Sequence, residues 1–177
     1  MMWHRLANAS FWSHLRWYHG VLFLLVMNLL SGGWLSTRSY LDSVGRPPFM
    51  PPDGAFAPIW IGMQILMVIA GFQLVRSKSL SPLLLGSYAS LWAFFSMFSW
   101  FYFGLHSPIL GFLTTVGMFV ANALNLYFGF KASQTKYALL LTPLMVWLVL
   151  ACCIAGWQFL YTPDEFFQMA PLCHRAP

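Results

Sequence analysis

The chain has 177 residues but only nine Lys+Arg and four Asp+Glu, so 7% of it is charged, while 59% is hydrophobic and 19% aromatic. A water-soluble domain carries roughly 25% charge, and so few ionised groups exclude a globule wetted on all sides. The formal net charge of +5 then reflects membrane topology and anionic headgroups rather than a nucleic-acid footprint.

Met1 to Arg16 places Trp3, Ala7, Phe11 and Leu15 at i+4 spacing, with Arg5 and His14 elsewhere. This pattern reads either as a short amphipathic helix lying in the interface or as a frayed extension. Beyond it, residues 17–37, 54–75, 79–130 and 137–163 contain no Lys, Arg, Asp or Glu. A bilayer core takes roughly 20 helical residues to cross, so the first, second and fourth stretches each suit one span and the third suits two. The third divides at Gly104-Leu105-His106-Ser107-Pro108, where Gly and Pro break a helix. Unbroken apolar runs are helices rather than barrel strands.

The expected fold class is therefore all-α integral membrane, a bundle of five transmembrane helices near 17–36, 56–75, 82–103, 108–130 and 137–161. An N-terminal interfacial segment (1–16) precedes the transmembrane domain (17–161), and a C-terminal tail (162–177) follows it. The first run is too long for a signal-peptide core, and no A-x-A-like site follows Trp34-Leu35-Ser36, so it is read as a retained helix. Six basic residues (Arg5, Arg16, Arg76, Lys78, Lys131, Lys136) fall on one side. Arg38, Arg46, Arg175 and all four acids fall on the other. The bias puts the amino terminus in the cytoplasm and the first loop outside.

Chemistry-bearing motifs are scarce. Cys152-Cys153 lies within the last span and Cys173 beside His174; neither has the spacing of a metal site. No phosphate loop, nucleophile elbow or acid/base pair is visible, so neither an enzyme nor an obligatory cofactor is expected. The spans carry no ionisable group at depth, which argues against a proton-coupled transporter. Their uncharged polar residues, among them Asn28, Gln64, Ser90, Asn122 and Asn125, most often tie helices together.

Tryptophan is more specific. Trp92 and Trp147 lie about ten residues from their span ends, roughly 15 Å deep, too far in for an interfacial belt. Trp147, Ala151, Ile154 and Ala155 follow i, i+4, i+7, i+8. One face thus carries an indole and then small residues, suited either to close packing or to a flat apolar ligand. The loop between the first two spans tips the balance towards a site. Arg46-Pro47-Pro48-Phe49-Met50-Pro51-Pro52-Asp53 sets one cation in a proline-stiffened segment, which suits a lid.

From Tyr40 through Arg46-Pro47-Pro48-Phe49-Met50-Pro51-Pro52 to Pro58-Ile59-Trp60, the loop resembles the W-Y-x-x-L-x-K-P-x-W-x-P-P…P-x-W signature of the translocator protein and tryptophan-rich sensory protein (TspO/MBR) family. Met67, Phe101-Tyr102-Phe103-Gly104, and Pro143 with Trp147 follow in register, so the likeness spans roughly residues 40–161. Departures accompany it: Phe95 occupies the place of the family's third-helix Asn, and Ala155-Gly156 that of its fifth-helix Asn-Tyr.

The resemblance implies a multi-pass receptor or sensor that binds porphyrins or other flat apolar ligands in a cavity beneath the first loop, with the lipid bilayer and a second copy (homodimer) as partners and no nucleic acid. A tetrapyrrole or lipid transporter and a regulatory membrane subunit are the alternatives. Arg46 is expected to meet a porphyrin carboxylate, unless Asp42 and Asp53 hold it instead. Pro51 and Pro52 would stiffen the lid, and Trp60, Trp147 and Trp100 would stack on the macrocycle. Phe56, Leu110, Ala151 and Ile154 match lining positions.

Overall fold

The computed structural model describes residues 14–31, 38–77 and 81–173, with the backbone alone at 38 and 39. Most of the N-terminal segment, the end of the first expected span (32–36), Lys78 and His174 onward lie outside the described residues. Among the described residues six α-helices follow in order: α1 (Trp17–Leu30), α2 (Arg38–Ser43), α3 (Asp53–Val75), α4 (Pro82–Ser99), α5 (Pro108–Lys131) and α6 (Thr135–Tyr161). A π-helical turn, Trp100–Gly104, continues α4. No strand occurs among the described residues.

α3, α4 with its π turn, α5 and α6 are each long and apolar enough to cross a membrane. α1 is apolar but has 14 residues, a rise of about 21 Å against a hydrocarbon core of about 30 Å. Among the described residues the count is therefore four long apolar helices and one shorter apolar one.

Helix starts follow local chemistry. Ser81 and Ser107 accept the amides of Leu84 and Leu110 at 3.1 and 3.2 Å, and Pro82 and Pro108 occupy the first helical position, where a missing N–H costs nothing. α3 begins three residues before its expected start and runs through Pro58, because the bond forfeited there falls within the helix's opening turns.

α5 packs extensively on α4 and α6, α3 packs on α6, and α1 touches α3 and α4 only lightly. Met67, Leu74, Leu84, Leu91, Met118 and Leu148 fill the core. A Cβ at Gly117 would come within 2.6 Å of the Phe94 ring, so glycine there sets how closely α4 and α5 approach. Buried carboxamides join the helices as the composition of the spans suggested. Asn125 accepts from Ser87 Oγ at 2.9 Å and from Tyr137 Oη, and Asn122 Nδ2 donates to Leu141 O at 3.2 Å.

Candidate functional site

A cavity of about 530 Å³ lies at the end of the bundle that carries the first loop. α3 contributes Phe56, Trp60 and Gln64, α4 and its π turn Phe95, Tyr102 and Phe103, and α6 Trp147, Ala151, Ile154, Ala155 and Gln158. The four-residue face on α6 thus points into open space. The indoles of Trp60 and Trp147 meet edge to face, with centroids 6.1 Å apart and planes at 89°. Phe56 adds a second edge contact to Trp147 at 5.6 Å, and Phe95 lies 5.8 Å from Trp60. Each such aromatic pair adds about 0.5–1.5 kcal/mol beyond its buried area, which fixes the walls in place.

The first loop closes one side through three attachments. Tyr40 on α2 stacks on His106 at 4.3 Å and meets the Tyr102 ring edge-on at 5.5 Å. Burial, and then the Glu165 and Asp164 carboxylates, raise the Tyr40 hydroxyl pKa above its ordinary value, so it stays neutral. Gln158 accepts from Tyr102 Oη at 2.8 Å and donates to Gly45 O at 3.4 Å, which ties α6, the π turn and the loop at one point. Arg46 Nη2 donates to Asp53 Oδ2 at 2.8 Å and lies 3.8 Å from Asp42 Oδ1.

Of the ten residues singled out from sequence, Arg46, Phe56, Trp60, Trp147, Ala151 and Ile154 line this cavity; Pro51, Pro52, Trp100 and Leu110 do not. Pro52 caps α3 and Pro51 precedes it, so both shape the loop's exit. Leu110 sits in the first turn of α5, where its carbonyl accepts from Thr114 Oγ1. Trp100 is 42% exposed, and its Nε1 donates to the carbonyl of Leu30, one of the unpaired acceptors at the end of α1. The extra residue per π turn rotates the side chains after it around the helix, so Tyr102 and Phe103 face the cavity in place of Trp100. Arg46 is at the rim, but its guanidinium is engaged by two aspartates, the alternative to a ligand carboxylate.

Sequence reasoning missed Tyr102, Phe95 and Gln158 as lining residues. Gln158 was within reach, because it extends the i, i+4, i+7 series from Trp147 by one more step. Gln64, grouped with the helix-tying polar residues, does accept from Asn28 Nδ2 at 2.6 Å, and both also line the cavity. No histidine lines it, and no group of His, Cys, Asp and Glu with metal-ligand geometry occurs among the described residues.

A family model described as the TspO/MBR family matches residues 20–159. The chain belongs to the TspO/MBR family. No curated protein sequence matches it. Membership in this family, with four helices able to span a bilayer, makes it an integral multi-pass membrane protein and implies a sensor-like, receptor-like or transporter role. The matched stretch runs from within α1 to within α6 and takes in the cavity-lining residues named above.

Proposed function

We propose that this TspO/MBR protein is a non-enzymatic membrane receptor or sensor that binds porphyrins or related flat, apolar ligands in the cavity beneath its first loop. The perpendicular Trp60–Trp147 pair carries the reading: a planar ligand lying face-on to one indole presents its edge to the other. The volume of about 530 Å³ falls within the 300–1,000 Å³ of small-molecule sites. We further propose a five-helix bundle in the membrane, with α1 as the fifth span, and a homodimer formed through the exposed Gly86, Ala89, Ser90 and Ala93 face of α4, since small residues let membrane helices approach closely.

Arg46 acts in this reading as a latch on the loop, and the tetrapyrrole's carboxylates stay in water. Titration of the purified protein with protoporphyrin, followed by tryptophan fluorescence, tests the proposal. Saturable quenching with a fixed stoichiometry is expected; quenching that rises linearly with porphyrin and is matched by free tryptophan would remove it. Flux of the same porphyrin across sealed vesicles would favour transport over sensing.

A further inference from the structure

At the opposite end of the bundle, α1 and α3 diverge around a second hollow of about 400 Å³. Its walls are apolar, with Val21 and Leu24 on α1 and Ile65 and Ile69 on α3, and its mouth holds Trp17 and Arg76. Gly20 forms the floor: a Cβ there would come within 2.8 Å of Val68 and 2.7 Å of Phe72, so the helices touch at this point and open on either side. Trp17, Val21 and Ile69 are exposed on the outer surface of the bundle, so the groove communicates with the surrounding hydrocarbon.

Charge defines what the mouth accepts. Arg76 Nη2 donates to Leu15 O at 3.0 Å, and its guanidinium carbon sits 5.4 Å from the Phe72 ring centroid. Of five N–H groups, one is thus used among the described residues. Arg16 lies one residue beyond that carbonyl, and all four acids in the chain, Asp42, Asp53, Asp164 and Glu165, belong to the end that carries the first loop. An anion at Arg76 therefore meets no opposing carboxylate.

We propose that this groove is a binding site for an acidic phospholipid, one acyl chain lying along Val21, Leu24, Ile65 and Ile69 and the headgroup phosphate on Arg76 beside Trp17. A guanidinium fork matches phosphate geometry and is weakly hydrated, and an exposed indole belongs at headgroup depth. A zwitterionic lipid fills the same groove but gains less, because its ammonium offsets the phosphate near the cation. The site is separate from the aromatic cavity and does not depend on what binds there.

The test uses full-length protein in phosphatidylcholine vesicles containing increasing shares of brominated phosphatidylglycerol or brominated phosphatidylcholine. The Trp17 signal is taken as the difference between the native protein and Trp17→Phe. Half-maximal quenching of that signal is expected at about a fivefold lower share of the acidic lipid, the effect of one cation near an anionic headgroup. Arg76→Gln should abolish the preference. So should Gln73→Glu, which keeps Arg76 but sets a carboxylate one helical turn away to compete for its guanidinium, and so serves even if Arg76→Gln fails to fold. Lys131→Gln, a neutralisation at the same end but away from the groove, should leave it intact. Equal quenching by the two lipids in the native protein, or a preference lost as fully in Lys131→Gln as in Gln73→Glu, would overturn the proposal.

Discussion

Arg46 shows how far residue type alone carries an assignment. A cation in a proline-rich loop above an apolar site suggests a partner for a ligand carboxylate, yet the same loop supplies Asp42 and Asp53 within 3.8 and 2.8 Å of its guanidinium. Because the pair is half-exposed, solvent screens it and its worth is about 1 kcal/mol or less. Arg46→Gln should therefore weaken a dicarboxylic porphyrin and its dimethyl ester to the same small degree, through a looser loop. A loss confined to the diacid in parallel titrations would return Arg46 to direct ligand contact. Trp147 was legible for the opposite reason. Its depth and the small residues that follow it at helical spacing are properties of one helix, and one helix is what a sequence states most plainly. Trp100 was not legible, because its direction depends on a π turn that starts at that very residue, and nothing in Trp100-Phe101-Tyr102-Phe103-Gly104 marks where the extra residue enters. The contact between Gln158 and Gly45 joins residues 113 apart in the chain, a pairing that no local pattern encodes.

At the scale of elements, the charge-free runs and the Gly/Pro break put the starts of α4 and α5 at the observed Pro82 and Pro108, whereas the ends differ, α4 passing at Trp100 into the π turn and α5 running to Lys131. The tail is different. Residues 162–173 fold back over the start of α5, where Asp164, 3% exposed, accepts from Ser107 Oγ at 2.6 Å, Ile109 N at 3.1 Å and Phe167 N at 2.9 Å. A carboxylate at a helix N-terminus is favoured by the helix dipole as well as by these bonds. His106 Nδ1 lies 2.7 Å from Glu165 Oε2, and His106 in turn supports Tyr40 of the first loop. Asp164→Ala should thus cost about 1–3 kcal/mol, read as a lower thermal midpoint in detergent. It should also loosen the loop, read as faster proteolysis between α2 and α3. An unchanged midpoint would mean that the tail is a passive extension. On α4, Gly86→Leu should separate the proposed dimer without unfolding the protomer, because a Cβ at Gly86 meets nothing within 4 Å. Cross-linking yields that stay at the native level would place any dimer contact elsewhere.

Over the whole molecule, charge is sorted by end. Among the described residues Arg16, Arg76, Lys131 and Lys136 lie at one end of the bundle, whereas Arg38 and Arg46 belong to the other, where Arg46 is paired with acids. This is the asymmetry counted from sequence, on which the proposed orientation with the first loop outside rests. A cysteine at Phe49 in a Cys173→Ser background should react with an impermeant thiol reagent in intact cells, and one at Lys136 only after permeabilisation; the reverse pattern would invert the topology. The proposed function depends above all on a flat apolar ligand occupying the cavity between α3 and α6. The affinity for protoporphyrin of Trp147→Leu, compared with that of Trp157→Leu, addresses this without intermediate steps, because Trp157 is on the same helix but does not line the cavity; helical content is checked in both. Loss of an aromatic stacking wall is worth about 1–3 kcal/mol by analogy with base stacking, so Trp147→Leu should bind at least fivefold more weakly while Trp157→Leu binds like the native protein. Equal affinity in all three proteins would mean that the porphyrin does not sit in this cavity.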